Sequence, residues 1–475
     1  MSKIYVFAIG GTGSRVLKSL TMLLAAGVKT KTSEIVPIII DHDAACGDKT
    51  DTVLLMKQYS SIYDTQSHQD SRQINSFATK LSKLNFPTDY VMPMGANTNT
   101  TFGKYMHFGS LTDENKALVN MLFSTDNQEA DMTIGFTGNP NIGSVVLNQF
   151  ANSTEFAEFA SNFANDDKIF IISSIFGGTG ASGFPLLLKN LRHIDPNLHI
   201  PNAAAIQNAE IGAITVLPYF NIEPEEDATI DSDTFVSKTR AALSYYENNL
   251  NGLNVLYYIG DVDRGQQEYN DGGAQQRNDA HFVELAAALA VIDFANNTFP
   301  YLDNTIYKEF GINEDATDIT LKNMSAPTYL QIAKPLTEFT LFCKYLAENL
   351  QGSLSQEWLS SYKNSVIGGQ MYSILNQFTS AFLDWEKNME STRHARRFTP
   401  FVLEPRPNDV FGLVKGLPTS SVFGVSASNW DLFNHYLNKS DCARQANQHG
   451  KTEEGKFIAH LLAGTQKVVS KKIKF

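Results

Sequence analysis

Over its first three hundred or so residues the chain alternates between short, nearly unbroken apolar runs and stretches of helical periodicity. Residues 3–9, 35–40, 169–175, 212–220 and 253–259 are rich in Ile, Val, Leu, Phe and Tyr, with no regular polar alternation. Such runs predict strands buried on both faces, as in a parallel sheet. Between them, apolar residues recur at helical spacing. Val16, Leu17, Leu20, Leu23 and Leu24 follow the first run. Leu186, Leu187, Leu188 and Leu191 follow the third, on a helix predicted to begin near Ser182. Phe235, Val236, Ala242, Leu243, Tyr246 and Leu250 mark a helix over 233–250. Further helices are predicted over 57–84, 111–123 and 143–165, and short strands over 89–94 and 131–137. Residues 278–294 are apolar on most sides, as in a helix packed between other elements. This alternation predicts an α/β fold with a doubly wound parallel sheet.

Beyond residue 300 the pattern changes. Helical periodicity dominates (329–350, 356–390, 429–437, 455–463), with extended segments at 398–403 and 421–425. A boundary near 297–325 separates a first domain, 1–297, from a smaller α+β domain over 325–465. Residues 466–475 carry Lys467, Lys471, Lys472 and Lys474 and read as a solvated basic tail, or as a docking peptide for an acidic partner or a membrane surface.

Composition narrows the function classes. A formal net charge of −12 over 475 residues argues against nucleic-acid binding through a global basic field. Three widely spaced cysteines, Cys46, Cys343 and Cys442, form no CxxC pair and fit a reducing compartment. The N-terminal apolar run is too short for a signal peptide, and no apolar stretch approaches the roughly 20 residues of a membrane span. A cytoplasmic protein is expected.

The candidate chemistry lies at the ends of the predicted strands. Residues 169–175 run into Gly177, Gly178, Thr179, Gly180, Ala181, Ser182 and Gly183, and then a helix. Residues 3–9 run into Gly10, Gly11, Thr12, Gly13 and Ser14, and then a helix. Strand, glycine loop and helix N-terminus in that order suit a phosphate: glycine permits close backbone approach, and free N–H groups and the helix dipole favour the anion. A tight strand-to-helix turn without a ligand fits each loop equally well. The first loop is not a dinucleotide fingerprint, because Gly11-Thr-Gly13-Ser14-Arg15-Val16 lacks the third small residue of GxGxxG, nor a P-loop, since no Gly-Lys-Ser/Thr follows. The strand over 35–40 ends in Asp41, His42 and Asp43, acids placed for a ribose hydroxyl or a hydrated Mg²⁺, or for ordinary capping. Gly95, Ala96, Asn97 and Thr98 form a small, polar loop, and Glu223 opens an acidic one. In a doubly wound sheet all of these meet at the strands' C-terminal edge.

The order of these features resembles the tubulin/FtsZ superfamily, and in particular its divergent bacterial members. Gly177–Gly183 looks like that superfamily's GGGTG(S/T)G phosphate loop with one extra residue, and Gly10–Ser14 like its first glycine loop. Asp41 and Asp43 match an Asn-Thr-Asp position, Gly95–Asn97 a Gly-Ala-Gly loop, and Leu217-Pro218-Tyr219-Phe220 a Lys-Pro-Phe segment at the sugar. Residues 255–261 mirror a strand end closing in Asp261, and 278–294 the core helix, with Asn278 or Asp279 toward the base. The resemblance covers about 1–295. It implies a Rossmann-like GTPase domain with a core helix, GTP or GDP with Mg²⁺ near Asp43, and Asn97 and Thr98 near the γ-phosphate. It also implies head-to-tail self-association into filaments. Family members complete hydrolysis in trans through an Asn-x-Asp-x-x-Asp loop after the core helix. That spacing is missing here: Asp293, expected within the helix, and Asp303 are the only nearby carboxylates. A nucleotide-binding scaffold of the same fold without hydrolysis is the alternative. An NAD dehydrogenase is disfavoured by the failed fingerprint and the second glycine loop.

Overall fold

The computed structural model describes residues 2–43, 45–68, 74–93, 100–132, 136, 139–148, 150–222, 232–267, 273–300, 304–312, 316–404, 409–419 and 429–475. Seven strands form one parallel sheet: β1 Ile4–Ile9, β2 Glu34–Ile40, β3 Lys80–Leu81, β4 Lys168–Ser174, β5 Glu210–Val216, β6 Val255–Ile259 and β7 Ile306–Glu309. Their spatial order is β3-β2-β1-β4-β5-β6-β7. The chain therefore winds outward in one direction from β1 and in the other from β4. That reversal opens a crevice at the C-terminal edge between β1 and β4, the usual ligand position in open α/β sheets. β1 is buried at every position, as an inner parallel strand covered on both faces must be. The α/β, Rossmann-like class expected from the hydrophobic pattern is the one observed.

Helix α1 (Gly10–Ala26) follows β1, α2 (Gly47–Asp64) follows β2, and α3 (Gly178–Arg192) follows β4. Helix α4 (Ser232–Asn249) leads to β6, and α5 (Phe282–Asn296) is the buried core helix. The later helices include α6 (Ala326–Lys344), α7 (Gln370–Met389), α8 (Ser440–His449) and α9 (Glu453–Lys472). Of these, α6 packs against α1 and α7 against α2, and α9 joins α8 to α6, without a break in the core. Phe339 and Phe378 meet Phe77 edge-on, and the Trp385 indole N–H donates to Ser19 Oγ at 3.2 Å. Strand β7 belongs to the sheet although it lies past residue 297. No helix among the described residues is long and apolar enough to cross a membrane.

Several elements differ from the sequence reading, each for an identifiable reason. Both glycine segments are the first turns of α1 and α3 rather than loops before them, so α3 begins at Gly178 and not near Ser182. The first-turn N–H groups of a helix have no intrahelical partner, so glycine weakens hydrogen bonding there least. The helix placed at 57–84 runs over 47–64 instead, and 74–79 and 82–93 are irregular. Among the described residues, 89–93 and 131–132 supply only isolated bridges, which include Val91 to Ile39 and Asp131 to Thr101. The single helix expected over 143–165 is two, Pro140–Leu147 and Thr154–Asn162, because Ser153 Oγ accepts the Phe156 N–H and starts a new one. The core helix begins at Phe282, not 278. The presumed tail is the end of α9, where Val468 and Val469 are fully buried and Ile473 bridges Thr419.

Candidate functional site at the two glycine turns

The first turns of α1 and α3 abut across the β1–β4 crevice. A Cβ on Gly10 would lie 3.5 Å from Thr179 Cβ and 3.8 Å from the Gly180 nitrogen. Each turn is pressed onto its own strand. A Cβ on Gly13 would come within 2.7 Å of the Ala8 carbonyl carbon, and one on Gly180 within 2.6 Å of the Ser174 oxygen. Gly10 also adopts φ +71°, a left-handed conformation that favours glycine. Neither helix has a side chain capping its N-terminus, and neither carries an acid in its first turn. Two uncapped helix N-termini thus converge, each with a positive dipole end. Ser182 is turned inward: its hydroxyl donates to the Gly178 carbonyl at 2.7 Å, and Tyr246 donates to the Ala181 carbonyl at 3.2 Å.

The acids ending β2 are buried on the same edge. Asp41 Oδ1 accepts the Asp43 N–H at 3.1 Å. Asp43 accepts the N–H groups of Ala45 at 3.0 Å and Gly273 at 2.6 Å, and the Lys49 ammonium donates to its carbonyl. Burial, only partly offset by Lys49, pushes the Asp41 carboxyl up to about 6. His42 stacks on Phe136 with ring centroids 4.9 Å apart. Among the described residues no group of three His, Cys, Asp or Glu could hold a metal ion.

Beneath the first turn of α1 lies a buried ionic network that the sequence reading missed. Arg15 Nε donates to Glu284 at 2.6 Å, one Nη to Asp48 at 2.9 Å, and the other to the Tyr219 hydroxyl at 2.8 Å and to Thr12 at 3.3 Å. Tyr219 in turn donates to Glu284 at 2.7 Å. Burial opposes the guanidinium charge, but Tyr219, Glu284 and Asp48 outweigh it and hold Arg15 protonated. Glu284 also accepts the His281 N–H, completing a capping box that starts α5. Burial, with His394 and Arg15 nearby, holds the His281 ring well below its usual pKa, and its Nδ1 accepts the Val283 N–H at 3.0 Å. A signal was available: α1 carries only two charges, Arg15 and Lys18, which marks a helix buried nearly all round.

The remaining candidates divide. Asn278 closes on the network, donating through its N–H and its amide to Asp48 at 3.1 and 3.2 Å. Asp279, half-buried, lies beside it before α5. Pro218 accepts the Asp261 N–H at 3.4 Å. The Asp261 carboxylate is taken by Arg396 at 3.0 Å, so it is committed to the C-terminal part of the chain. Asp293 does not join the site. It lies near the C-terminal end of α5, about 16 Å along the axis from its start at ~1.5 Å per residue. There Tyr257 donates to it at 2.6 Å, Asn297 at 2.9 Å, and Lys308 pairs with it. Gly95, Ala96, Asn97, Thr98, Glu223 and Asp303 lie outside the described residues.

No family model and no curated protein matches the chain. Among solved structures it is similar to an FtsZ mutant from M. jannaschii, at 15% identity over 55% of this chain and 46% of that one, with a TM-score of 0.28. CetZ2 from Haloferax volcanii, a GTPγS-bound protofilament, is 13% identical over 62% and 58%, with a TM-score of 0.31. CetZ from Methanosaeta thermophila is 15% identical over 55% and 46%, with a TM-score of 0.24. The chain spans about half the length of these structures. Its Rossmann-like α/β fold is carried by its own seven-stranded sheet, and the structures it is similar to are those of the tubulin-like FtsZ and CetZ proteins.

Proposed function

We propose that the chain is a tubulin/FtsZ-type nucleotide-binding protein that holds GTP or GDP in the β1–β4 crevice. The observation that carries this reading is the meeting of two uncapped, glycine-built helix N-termini at the switch point of the sheet. The nucleotide phosphates would rest on residues 10–14 and 177–182, with Asn97 and Thr98 near the γ-phosphate. Asn278 or Asp279 would face the base, and Asp41 the ribose. The polar edge beside the turns fits such a ligand, and Asp43 would meet Mg²⁺ through water. The ion's chemistry there would be to offset phosphate charge.

The polarity of the subunit supports self-association head to tail. The glycine turns lie at one edge of the sheet, and Asp293 lies about 16 Å along α5 from the start of that helix. A carboxylate at the far end could act only on a nucleotide held by another copy, with Asp303 the second candidate. A heterologous contact of this kind builds open filaments. The competing reading, a cytoplasmic scaffold or switch that binds nucleotide without hydrolysing it, is favoured by the partners already holding Asp293. Acid extraction of the purified chain followed by chromatography should release a guanine nucleotide; an adenine dinucleotide would overturn the proposal. Phosphate release that rises steeply above a threshold protein concentration supports hydrolysis in trans, whereas no release at any concentration leaves the scaffold.

A further inference from the structure

The helix Asp113–Leu122 carries an apolar stripe that its own chain leaves uncovered. Its start is well made: Thr112 accepts the Asn115 N–H at 3.4 Å, and Asp113 and Glu114 stand in the first turn. Yet none of its ten residues is buried. Leu118, Met121 and Leu122 are 53%, 84% and 61% exposed, and their i, i+3, i+4 spacing places them on one face. Glu114 lies one turn before Leu118 on that face, and Lys116 lies on the opposite one. An apolar stripe led by an acid suits a helix that docks in a groove. The segment is closed at its base by the Thr101–Asp131 bridge and by the Phe102 and Phe123 rings, 4.9 Å apart. Just past that bridge, Phe136 stacks on His42 at the end of β2, so the helix stands on the side of the sheet that carries the glycine turns.

A groove of about 670 Å³ opens at the other end of the subunit, between the C-terminal end of α1 and helices α6, α8 and α9. Helix α1 starts at the first glycine turn and ends beside this groove, a run of about 25 Å at ~1.5 Å per residue. Leu330, Pro335, Cys442 and Ala463 give the groove apolar surface, with Leu330 78% exposed. Its charged lining is Lys29, Lys334 and Lys467 against Glu338 and Asp441, three positive groups to two negative. Lys471, one turn beyond Lys467 on α9, is exposed and extends the positive sign. We infer that the helix Asp113–Leu122 of one copy docks in this groove of the next. Leu118, Met121 and Leu122 then meet the apolar lining, and Glu114 meets the lysines. Because the two surfaces lie at opposite ends of the subunit, the contact is heterologous and repeats from copy to copy. It rests on the head-to-tail association proposed above and gives that association its contact surfaces.

Sedimentation velocity on the full chain over a concentration series tests this with Met121→Glu and Leu330→Glu, both at exposed positions. The unsubstituted chain should associate as its concentration rises. Each variant should associate about tenfold more weakly or worse, because the new carboxylate is desolvated in the contact without a partner. An equimolar mixture of the two should form dimers and stop there, since Met121→Glu keeps an intact groove and Leu330→Glu an intact helix. Melting curves establish that both variants fold. An unsubstituted chain that stays monomeric at every concentration, a folded variant that associates as well as the unsubstituted chain, or a mixture that stays monomeric would each overturn the inference. In the second case head-to-tail association stands through another contact. Nucleotide extraction from each variant reads the crevice between β1 and β4 separately.

Discussion

The first turns of α1 and α3 look alike as sequence and are held in place by different physics. Under the first, Arg15 gathers Asp48, Glu284 and Tyr219 into a buried ionic cluster that ties together α1, α2, α5 and the segment after β5. Around the second, no ion pair involves residues 177–183 among those described. Its position is set by packing, with Gly180 against Ser174 and Ser182 against Gly143 of the helix Pro140–Leu147. Both turns are pressed onto their strands, and the first is anchored by charge as well. A charged anchor can be broken by removing a single partner, because the charges left behind are buried and uncompensated. A packed anchor fails when an atom is added.

The largest effect should therefore fall on the first turn alone. Arg15→Met strands Asp48 and Glu284 and should cost about 3–5 kcal/mol in denaturant unfolding. A smaller loss would mean that the cluster merely accompanies the fold. Next, Gly13→Ala and Gly180→Ala should each cost about 1–3 kcal/mol, since the new methyl meets backbone in both cases. If only one of the two is destabilised, the turns are not equally pressed onto their strands.

Asp41 sharpens the contrast through pH. Burial raises its carboxyl to about 6, so the folded state favours the protonated form. Stability then declines as pH rises from the ordinary carboxylate range through about 6, and the full cost is present above that. Asp41→Asn should accordingly gain on the order of 2–3 kcal/mol at pH 8 and little at pH 4, read from unfolding curves at both. A gain that does not depend on pH would show that the charge is not the cause. The smallest effect concerns the packed turn. A Cβ on Gly143 would lie 2.3 Å from Ser182 Oγ, so Gly143→Ala should cost about 1 kcal/mol or more. Adding Ser182→Ala should recover part of it, and simple additivity in the double mutant would place the clash elsewhere.

Which parts of this arrangement were legible in the sequence follows from the same distinction. The inner strands were legible because a parallel strand covered on both faces has to be apolar, as β1 is throughout and as Ile169, Phe170, Ile171 and Ile172 of β4 are. The core helix α5 was legible because it is apolar on nearly every side. Helix starts at the glycines were not, because glycine is read as a helix breaker, and only the tertiary fit of Gly13 on Ala8 and Gly180 on Ser174 makes it necessary there. Arg15 was hidden for a related reason: one arginine on a helix reads as a solvated position until Asp48, Tyr219 and Glu284, distant in sequence, surround it. The end of α9 looked like a tail because its lysines outnumber Val468 and Val469, although the two valines determine how it packs.

Pro185 carries a consequence for how this sequence can change over generations. Its ring leaves the Ala181 carbonyl without a helical donor, and Tyr246, from another helix, fills that place. Losing the tyrosine hydroxyl first exposes an unmet acceptor, whereas replacing the proline first makes the hydroxyl dispensable. Among descendants of this chain, position 246 should become free to drift only in lineages where position 185 has already ceased to be proline.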